Sequence, residues 1–414
     1  MSLRPTALSE AFRYTDFMSK KNPKHRATLA NLSASRAASA MDCRHFSGYK
    51  PCGKSETCNT SCAAYAATGA RVLLVHLGAL GAVVRSTTLL PAIRRKYPNA
   101  HITWVTDRPA DVLLRHHPLV DRLITTEGRD LIQLRALRFD VALVIDKSIA
   151  AAGVLAMTEA EQVFGFRVDP MTAAILPATP AAEELWRIGL SDHLKFHGNR
   201  KPETQLMVEA LELGPWLRDA YHLQLTEAEL SEAARRRLTW GPQVVGLNTG
   251  CAATIPFKKL SVEGHVKLIH ELRRRDPDVR IVLLGGREDT QRNRQIAELT
   301  NVIESPTEAG LRDGMISMMA CDVVVSGDSL GLHMALGLGK RVVAWFGPTC
   351  AHEIDLYDRG ASVITQAPCS PCWKRSCDKP VMCYDLVSFP QLASLSVALL
   401  SKDRSPQHNP EPRI

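Results

Sequence analysis

The chain has 414 residues, 45% of them hydrophobic and 23% charged, and a formal net charge of +8. That length suits two domains with tails, and the composition is that of an ordinary soluble protein, with no run near the roughly 18–20 consecutive apolar residues that span a bilayer. The positive surplus fits an anionic partner such as nucleotide phosphates, acidic lipid headgroups or nucleic acid, but no long Lys/Arg run or aromatic-interleaved basic motif argues for nucleic acid.

The N-terminal residues MSLRPTALSEAFRY lack the apolar core of a secretory signal, so a cytoplasmic location is expected. Residues 1–40 are rich in Ser, Ala, Lys and Arg without sustained periodicity, and read as a loosely packed extension with a helix around Arg26–Ala40. A cysteine-rich segment follows from Cys43 to Cys62. The pattern then changes. Arg71–Val75 is a short apolar run of the kind that forms a buried parallel strand. A small-residue loop, Gly78–Gly81, leads into a helical pattern from Val83 to Tyr97, closed by Pro98. Further strands are expected at His101–Val105, Val120–Ile124 and Val141–Ile145. This alternation means a doubly wound parallel sheet.

A charged helix, Glu227–Arg237, sits in the linker, Leu213–Pro242, and the pattern then restarts. Strands are expected at Val244–Leu247, Arg280–Leu284, Val323–Ser326 and Arg341–Phe346, with helices at Val262–Arg275, Leu311–Ala320 and Leu332–Leu338. The domain reading is an extension over 1–66, one Rossmann-like domain over 67–225, a second over 226–400, and a tail over 401–414. In open parallel sheets ligands sit beyond the carboxyl ends of the strands. The loops to watch are therefore Gly78–Ala82, Asn248–Lys259, Gly285–Asp289, Ser326–His333 and Gly347–Glu353.

Those loops carry recognisable text. Val75–Pro91 (VHLGALGAVVRSTTLLP), Asn248-Thr249-Gly250 with Lys258-Lys259, Leu283–Glu288 (LLGGRE), Ser326–His333 (SGDSLGLH) and Phe346–Thr349 (FGPT) together resemble glycosyltransferase family nine, the ADP-heptose:lipopolysaccharide heptosyltransferases. Five motifs in the right order, over Arg71 to Ser388, carry the resemblance. It implies a GT-B architecture, two Rossmann-like domains facing across a cleft, and an inverting sugar transfer from a nucleotide-diphosphate donor with no obligatory cofactor. It also implies a lipid-linked or glycan acceptor and peripheral contact with the inner membrane.

Without a metal, protein cations and backbone amides must meet the leaving diphosphate's charge. The resemblance puts Lys258 on that diphosphate, with Lys259 holding a weaker claim. It puts Asp328, Ser329 and His333 at the turn that holds donor sugar and diphosphate, where the helix start makes an anion pocket. Asn248, Thr249, Glu288, Gly347, Pro348 and Thr349 complete the expected donor set. Leu330-Gly331 replaces the commoner Gly-Pro order, and Glu353 and Asp355 have no assigned role.

Inverting transfer needs a general base for the acceptor hydroxyl. The family's aspartate would stand at Ala82, and alanine cannot accept a proton. Either another group takes over, with Asp107, Asp146 and His76 as candidates, or the protein binds its donor without catalysing. The basic segment Lys195–Lys201 (KFHGNRK) resembles a family stretch and could face an anionic acceptor.

Eleven cysteines are many for a cytosolic chain. Disulfides are seldom kept there, and clustered cysteines more often mean metal. Cys369, Cys372, Cys377 and Cys383 form one set, and Cys43, Cys52, Cys58 and Cys62 another. Four thiolates at short spacing can surround a structural zinc or hold an iron–sulfur cluster. Neither set includes a ligand that leaves an open position, so a catalytic metal is not expected. Cys251, Cys321 and Cys350 stand alone and read as core residues.

Overall fold

A computed structural model of the chain describes residues 40–401. The expected helix around Arg26–Ala40 and most of the two expected tails lie outside those residues. The chain forms two compact units, one ending at Thr68 and the other starting at Gly69. Within the first, residues 40–68 contain turns and a single bridge between Cys43 and Ala67, without a helix or a strand.

The second unit holds two six-stranded sheets. The first runs in the order β3-β2-β1-β4-β5-β6, from β1 (Arg71–Val75), β2 (His101–Thr106), β3 (Arg122–Thr125), β4 (Arg138–Val144), β5 (Glu159–Val168) and β6 (Ile175–Pro177). It is parallel except for β6, which runs antiparallel to β5. The second sheet runs β12-β11-β10-β7-β8-β9, from β7 (Val244–Asn248), β8 (Arg280–Leu284), β9 (Ile303–Glu304), β10 (Val323–Gly327), β11 (Arg341–Phe346) and β12 (Gly360–Ile364). All of its pairings are parallel. In each sheet the order reverses beside the first strand of that half, which opens the crevice where α/β ligands bind.

The central strands are apolar on both faces because helices cover both. Val72 and Leu74 pack on one side of the first sheet with Leu89, Ile93 and Leu206. Leu73 and Val75 pack on the other with Leu134, Ala151 and Val154. In the second sheet, Val244 and Val324 meet Met315 and Leu332 on one face, whereas Val245 and Val323 meet Leu268, Ile269 and Leu392 on the other.

Most expected elements stand within a residue or two of their predicted bounds, but the Val83–Tyr97 helix is two helices, Leu80–Ser86 and Leu89–Lys96. The break is chemical. Pro91 has no N–H to give to Thr87, and the hydroxyl of Thr87 donates to the Val84 carbonyl at 2.6 Å while accepting the amide of His222 at 2.9 Å. The break lets Leu80–Ser86 point its own way and pack on the Leu330–Gly337 helix of the other half. Val84 is part of the second half's core, and a Cβ on Gly337 would lie 3.3 Å from it. No helix among the described residues is long and apolar enough to cross a membrane.

Candidate functional site

The cleft floor is this contact between the two helices that follow β1 and β10. A Cβ on Gly81 would lie 2.5 Å from Cδ2 of His333, so only glycine admits the imidazole there. His333 is buried, with Nε2 3.5 Å from Asp328 Oδ1, its ring near that of Tyr221, and Nδ1 without a partner. Burial pushes its pKa down, against the opposing pull of Asp328.

Asp328 stands between two partners. Its Oδ2 lies 3.3 Å from Lys258 Nζ, and Oδ1 faces His333. Burial alone would raise its pKa, but His333 and Lys258 outweigh burial and hold the carboxyl well below the usual range. Lys258 reaches it from the short Pro256–Lys258 turn, and a Cβ on Gly327 would lie 2.0 Å from the Lys258 carbonyl oxygen. That close approach requires a glycine at the end of β10. Thr349, after β11, is buried beside Asp328, and its hydroxyl adds to the partners that hold that carboxyl low.

Asn248 organises this turn instead of pointing outward. Its Nδ2 donates to Ser326 Oγ at 3.1 Å, Ser329 Oγ at 3.0 Å and the Gly250 carbonyl at 2.9 Å. A Cβ at position 331 would sit 2.4 Å from Asn248 Cγ, which explains the departure at Leu330-Gly331: glycine at the second position makes room for the amide. Thr249 is engaged inside the fold, donating to the Leu284 carbonyl and lying 2.5 Å from Asn293 Oδ1. Glu288 is exposed and folds back over Gly286. Lys259 turns to Asp289, 3.8 Å away. Of the expected donor set, then, Lys258, Asp328, Ser329, His333 and Thr349 come together with Asn248 behind them. Thr249, Glu288 and Lys259 stand at the neighbouring Gly285–Asp289 turn.

Gly347 and Pro348 connect this pocket to the C-terminal cysteines. The Pro348 carbonyl accepts the amides of Cys372 at 3.0 Å and Trp373 at 2.8 Å, and Ser370 Oγ donates to the Gly347 carbonyl at 2.5 Å. Trp373 carries its ring 3.9 Å from Lys195 Nζ and 5.5 Å from Lys258 Nζ. Cys369, Cys372, Cys377 and Cys383 line one cavity against Gly347 and Pro348. Burial, then the three neighbouring thiols, push Cys383 up to about 11. All the cysteines among the described residues are unpaired thiols, and no three or more His, Cys, Asp or Glu side chains there form a finished metal-ligand set. Cys321 and Cys350 are buried in the core, and Cys251 is half-buried against the Ile255 and Pro256 carbonyls.

The first half contributes charge too, from Arg85 and Glu203, which sequence reading overlooked, and from Lys195, which it named. Arg85 lies one turn beyond Ala82 and pairs with Glu203 at 2.6 Å. Lys147 holds its Nζ 5.4 Å from the centre of the Phe166 ring. Lys195 reaches Glu353 at 3.6 Å, and burial raises Glu353 to about 7. No local signal marks these pairs, since Arg85 and Glu203 are more than a hundred residues apart. Lys201, at the other end of the basic segment, turns away to Glu184 and Glu209.

The three candidate bases are occupied. His76 is buried, its Nδ1 2.5 Å from Ser86 Oγ, and burial pushes it down to about 4. Asp146 Oδ2 accepts the amides of Leu77 at 2.9 Å and Gly78 at 3.4 Å, so it shapes the first loop. Asp107 lies beside that loop, its amide donating to the Leu77 carbonyl at 3.0 Å, while its carboxylate takes the hydroxyl of Thr126. Ala82 is half-buried in the first turn of the Leu80–Ser86 helix.

Two Rossmann-like halves with a charged, glycine-lined cleft between them define a GT-B fold. The family model described as glycosyltransferase family 9 (heptosyltransferase) matches residues 206–382. No curated protein matches the sequence. Among solved structures, a family 9 glycosyl transferase from Veillonella parvula aligns over 80% of this chain and 98% of its own, at 17% identity and a TM-score of 0.64. ADP-heptose lps heptosyltransferase II of E. coli aligns over 81% and 100%, at 20% identity and 0.60. The dodecameric iron-containing heptosyltransferase TibC of enterotoxigenic E. coli, in complex with ADP-D-beta-D-heptose, aligns over 81% and 77%, at 12% identity and 0.50. At such identities the likeness speaks for the fold. Together with the family match over residues 206–382, it makes the chain similar to the heptosyltransferases of glycosyltransferase family 9.

Proposed function

We propose that the protein transfers a heptose or related sugar from a nucleotide-diphosphate donor, ADP-heptose first among them, to a lipopolysaccharide-core or other surface-glycan acceptor. The observation that carries this is the Lys258–Asp328–His333 set with Thr349 beside it, which offers a cation and hydroxyl at the strand ends where a diphosphate and sugar would lie. The heptosyltransferase family match and the ADP-heptose named for two structural neighbours support the same donor. In the transfer, the acceptor oxygen attacks the anomeric carbon and loses its proton to a base. The carbon–oxygen bond to the diphosphate breaks and the nucleotide leaves with the electron pair. Lys258 and the Ser326–Ser329 turn meet the charge that develops on it. The reading places the protein in the cytoplasm at the inner membrane, with Lys195–Arg200 on the acceptor side.

The C-terminal cysteines fit a structural metal, since four thiols line one cavity at the back of the Gly347–Thr349 loop; the iron named for TibC points the same way. Cys369, Cys372, Cys377 and Cys383 would hold the ion, which would stiffen that loop and Trp373. No step of the transfer runs through it. Metal analysis of the purified protein and of C377S checks this: equal metal content in both would remove the site.

Ala82 supports a second reading, a protein that binds the nucleotide-sugar and does not turn it over. Calorimetry with ADP-heptose, followed by release of ADP in the presence of acceptor glycans, separates the two. Binding that K258A abolishes, without turnover, favours the second; no binding of any nucleotide-sugar defeats both. Ala82→Asp adds a carboxylate at the empty position, and an unchanged rate would show that this position does not limit transfer.

A further inference from the structure

Among the described residues, the 40–68 segment is held by few contacts, one of them the Tyr65 hydroxyl donating to Asp42 Oδ2 at 2.8 Å. It has one isolated bridge and a few turns, including Arg44 N to Ala66 O and Thr68 N to Asp42 O, both at 2.7 Å, and it gives no side chain to the four hydrophobic clusters. Tyr49 is 91% exposed. A stretch this short cannot bury enough apolar surface to offset the entropy of ordering its backbone, and units of this size are usually held by disulfides or a metal. Disulfides are absent, since Cys43, Cys52, Cys58 and Cys62 are all unpaired.

Those four thiols are nonetheless gathered. They line one small cavity together with Phe46, Pro51 and Tyr65, and Cys58 lies within electrostatic reach of the other three. The chain is bent to bring them there. Gly53, directly after Cys52, turns at φ +85°, and the Cys62 amide closes a turn on Asn59 at 3.2 Å. Cys43 Sγ already accepts a backbone hydrogen bond, from Ala66 N at 3.5 Å. Among the described residues no group of three or more His, Cys, Asp or Glu side chains is placed to hold a metal ion, so binding has to draw the four thiols together.

We propose that Cys43, Cys52, Cys58 and Cys62 bind one thiophilic ion, zinc or iron, as a structural site that closes the 40–68 segment. Four thiols release four protons as four metal–sulfur bonds form, leaving a divalent site with net charge −2. All four positions come from protein, so no open position remains for chemistry. The site is independent of the transfer reaction and of the C-terminal cysteines.

The test uses the full chain, purified without chelator. In a C372S/C377S chain the C-terminal set is disabled, and elemental analysis should still find about one zinc or iron per chain; adding C52S and C58S should remove it. The element found distinguishes zinc from iron. Wild-type protein provides a measurement that does not depend on the variants folding. Alkylation followed by peptide mapping should find Cys43, Cys52, Cys58 and Cys62 protected until a strong chelator is added. Cobalt taken up by the C372S/C377S chain should give the intense visible bands of a tetrahedral thiolate site. A metal-free C372S/C377S chain that retains its fold by circular dichroism would overturn the proposal. So would rapid alkylation of all four cysteines in the native protein, or their recovery as disulfides.

Discussion

The two sides of the cleft arrange their charged residues differently. On the second-domain side, Lys258, Asp328 and His333 come from two strand ends and meet in one cluster, with Thr349 from a third strand end beside it. On the first-domain side, Asp146 holds the first loop, His76 faces Ser86, and Arg85 pairs with Glu203, so each group has its own separate partner. Buried atoms without a hydrogen bond stand on both sides, Arg85 Nε on one and His333 Nδ1 on the other. A cluster of unlike charges at strand ends lies where α/β folds bind ligands, and an anion there can compete for the cation, whereas separate pairs build structure.

Removing the donor-side charge should break this contrast most severely. Lys258→Ala removes the cation and leaves Asp328, buried and ionised, without it. Affinity for ADP should fall roughly 10–100-fold, because charge-assisted hydrogen bonds are worth about 1.5–3 kcal/mol. Calorimetry reads this directly, and a change under threefold would remove Lys258 from the donor site. Gly81→Ala tests the floor. The added Cβ collides with His333, and overpacking of this kind costs about 1–3 kcal/mol, visible as a lower melting temperature. An unchanged melting temperature would mean that the two helices slide apart easily.

A smaller effect concerns pH. Glu353 has a pKa raised from 4.5 to about 7 by burial. Between those values the folded protein holds a proton that the unfolded chain releases, so this group's contribution to stability falls as pH rises through the window. Glu353→Gln keeps the neutral shape, and its melting temperature relative to wild type should climb from pH 5 to pH 8. A flat difference would show that Lys195 keeps the carboxylate ionised throughout. The smallest effect is expected from Trp373→Ala, which removes the ring beside Lys195 and Lys258. Contacts of this kind are worth about 0.5–1 kcal/mol at exposed sites, so ADP affinity should fall by a few-fold only.

Much of the architecture was legible because parallel strands covered on both faces must be apolar throughout. Arg71–Val75, Arg280–Leu284 and Arg341–Phe346 stand where their apolar runs predict. The split of the Val83–Tyr97 helix was legible only in part: Pro91 was in plain view, but the partners of Thr87 come from a segment more than a hundred residues away. The short β9 and the antiparallel β6 had no comparable apolar run to announce them.

The site divides along the same line. The sequence by itself determined the strand-end loops, the presence of Lys258, Asp328 and His333 on them, and the alanine at position 82, because glycines, small residues and turns act locally. Only the tertiary structure decided which of these groups are free. Thr249 is engaged inward by Asn293, Asn248 braces the Ser326–Ser329 turn, and Lys195 crosses the cleft to Glu353 beneath the Trp373 ring. A side chain's chemistry is set by what lies within a few ångströms of it. In this cleft those neighbours come from parts of the chain that no local pattern connects.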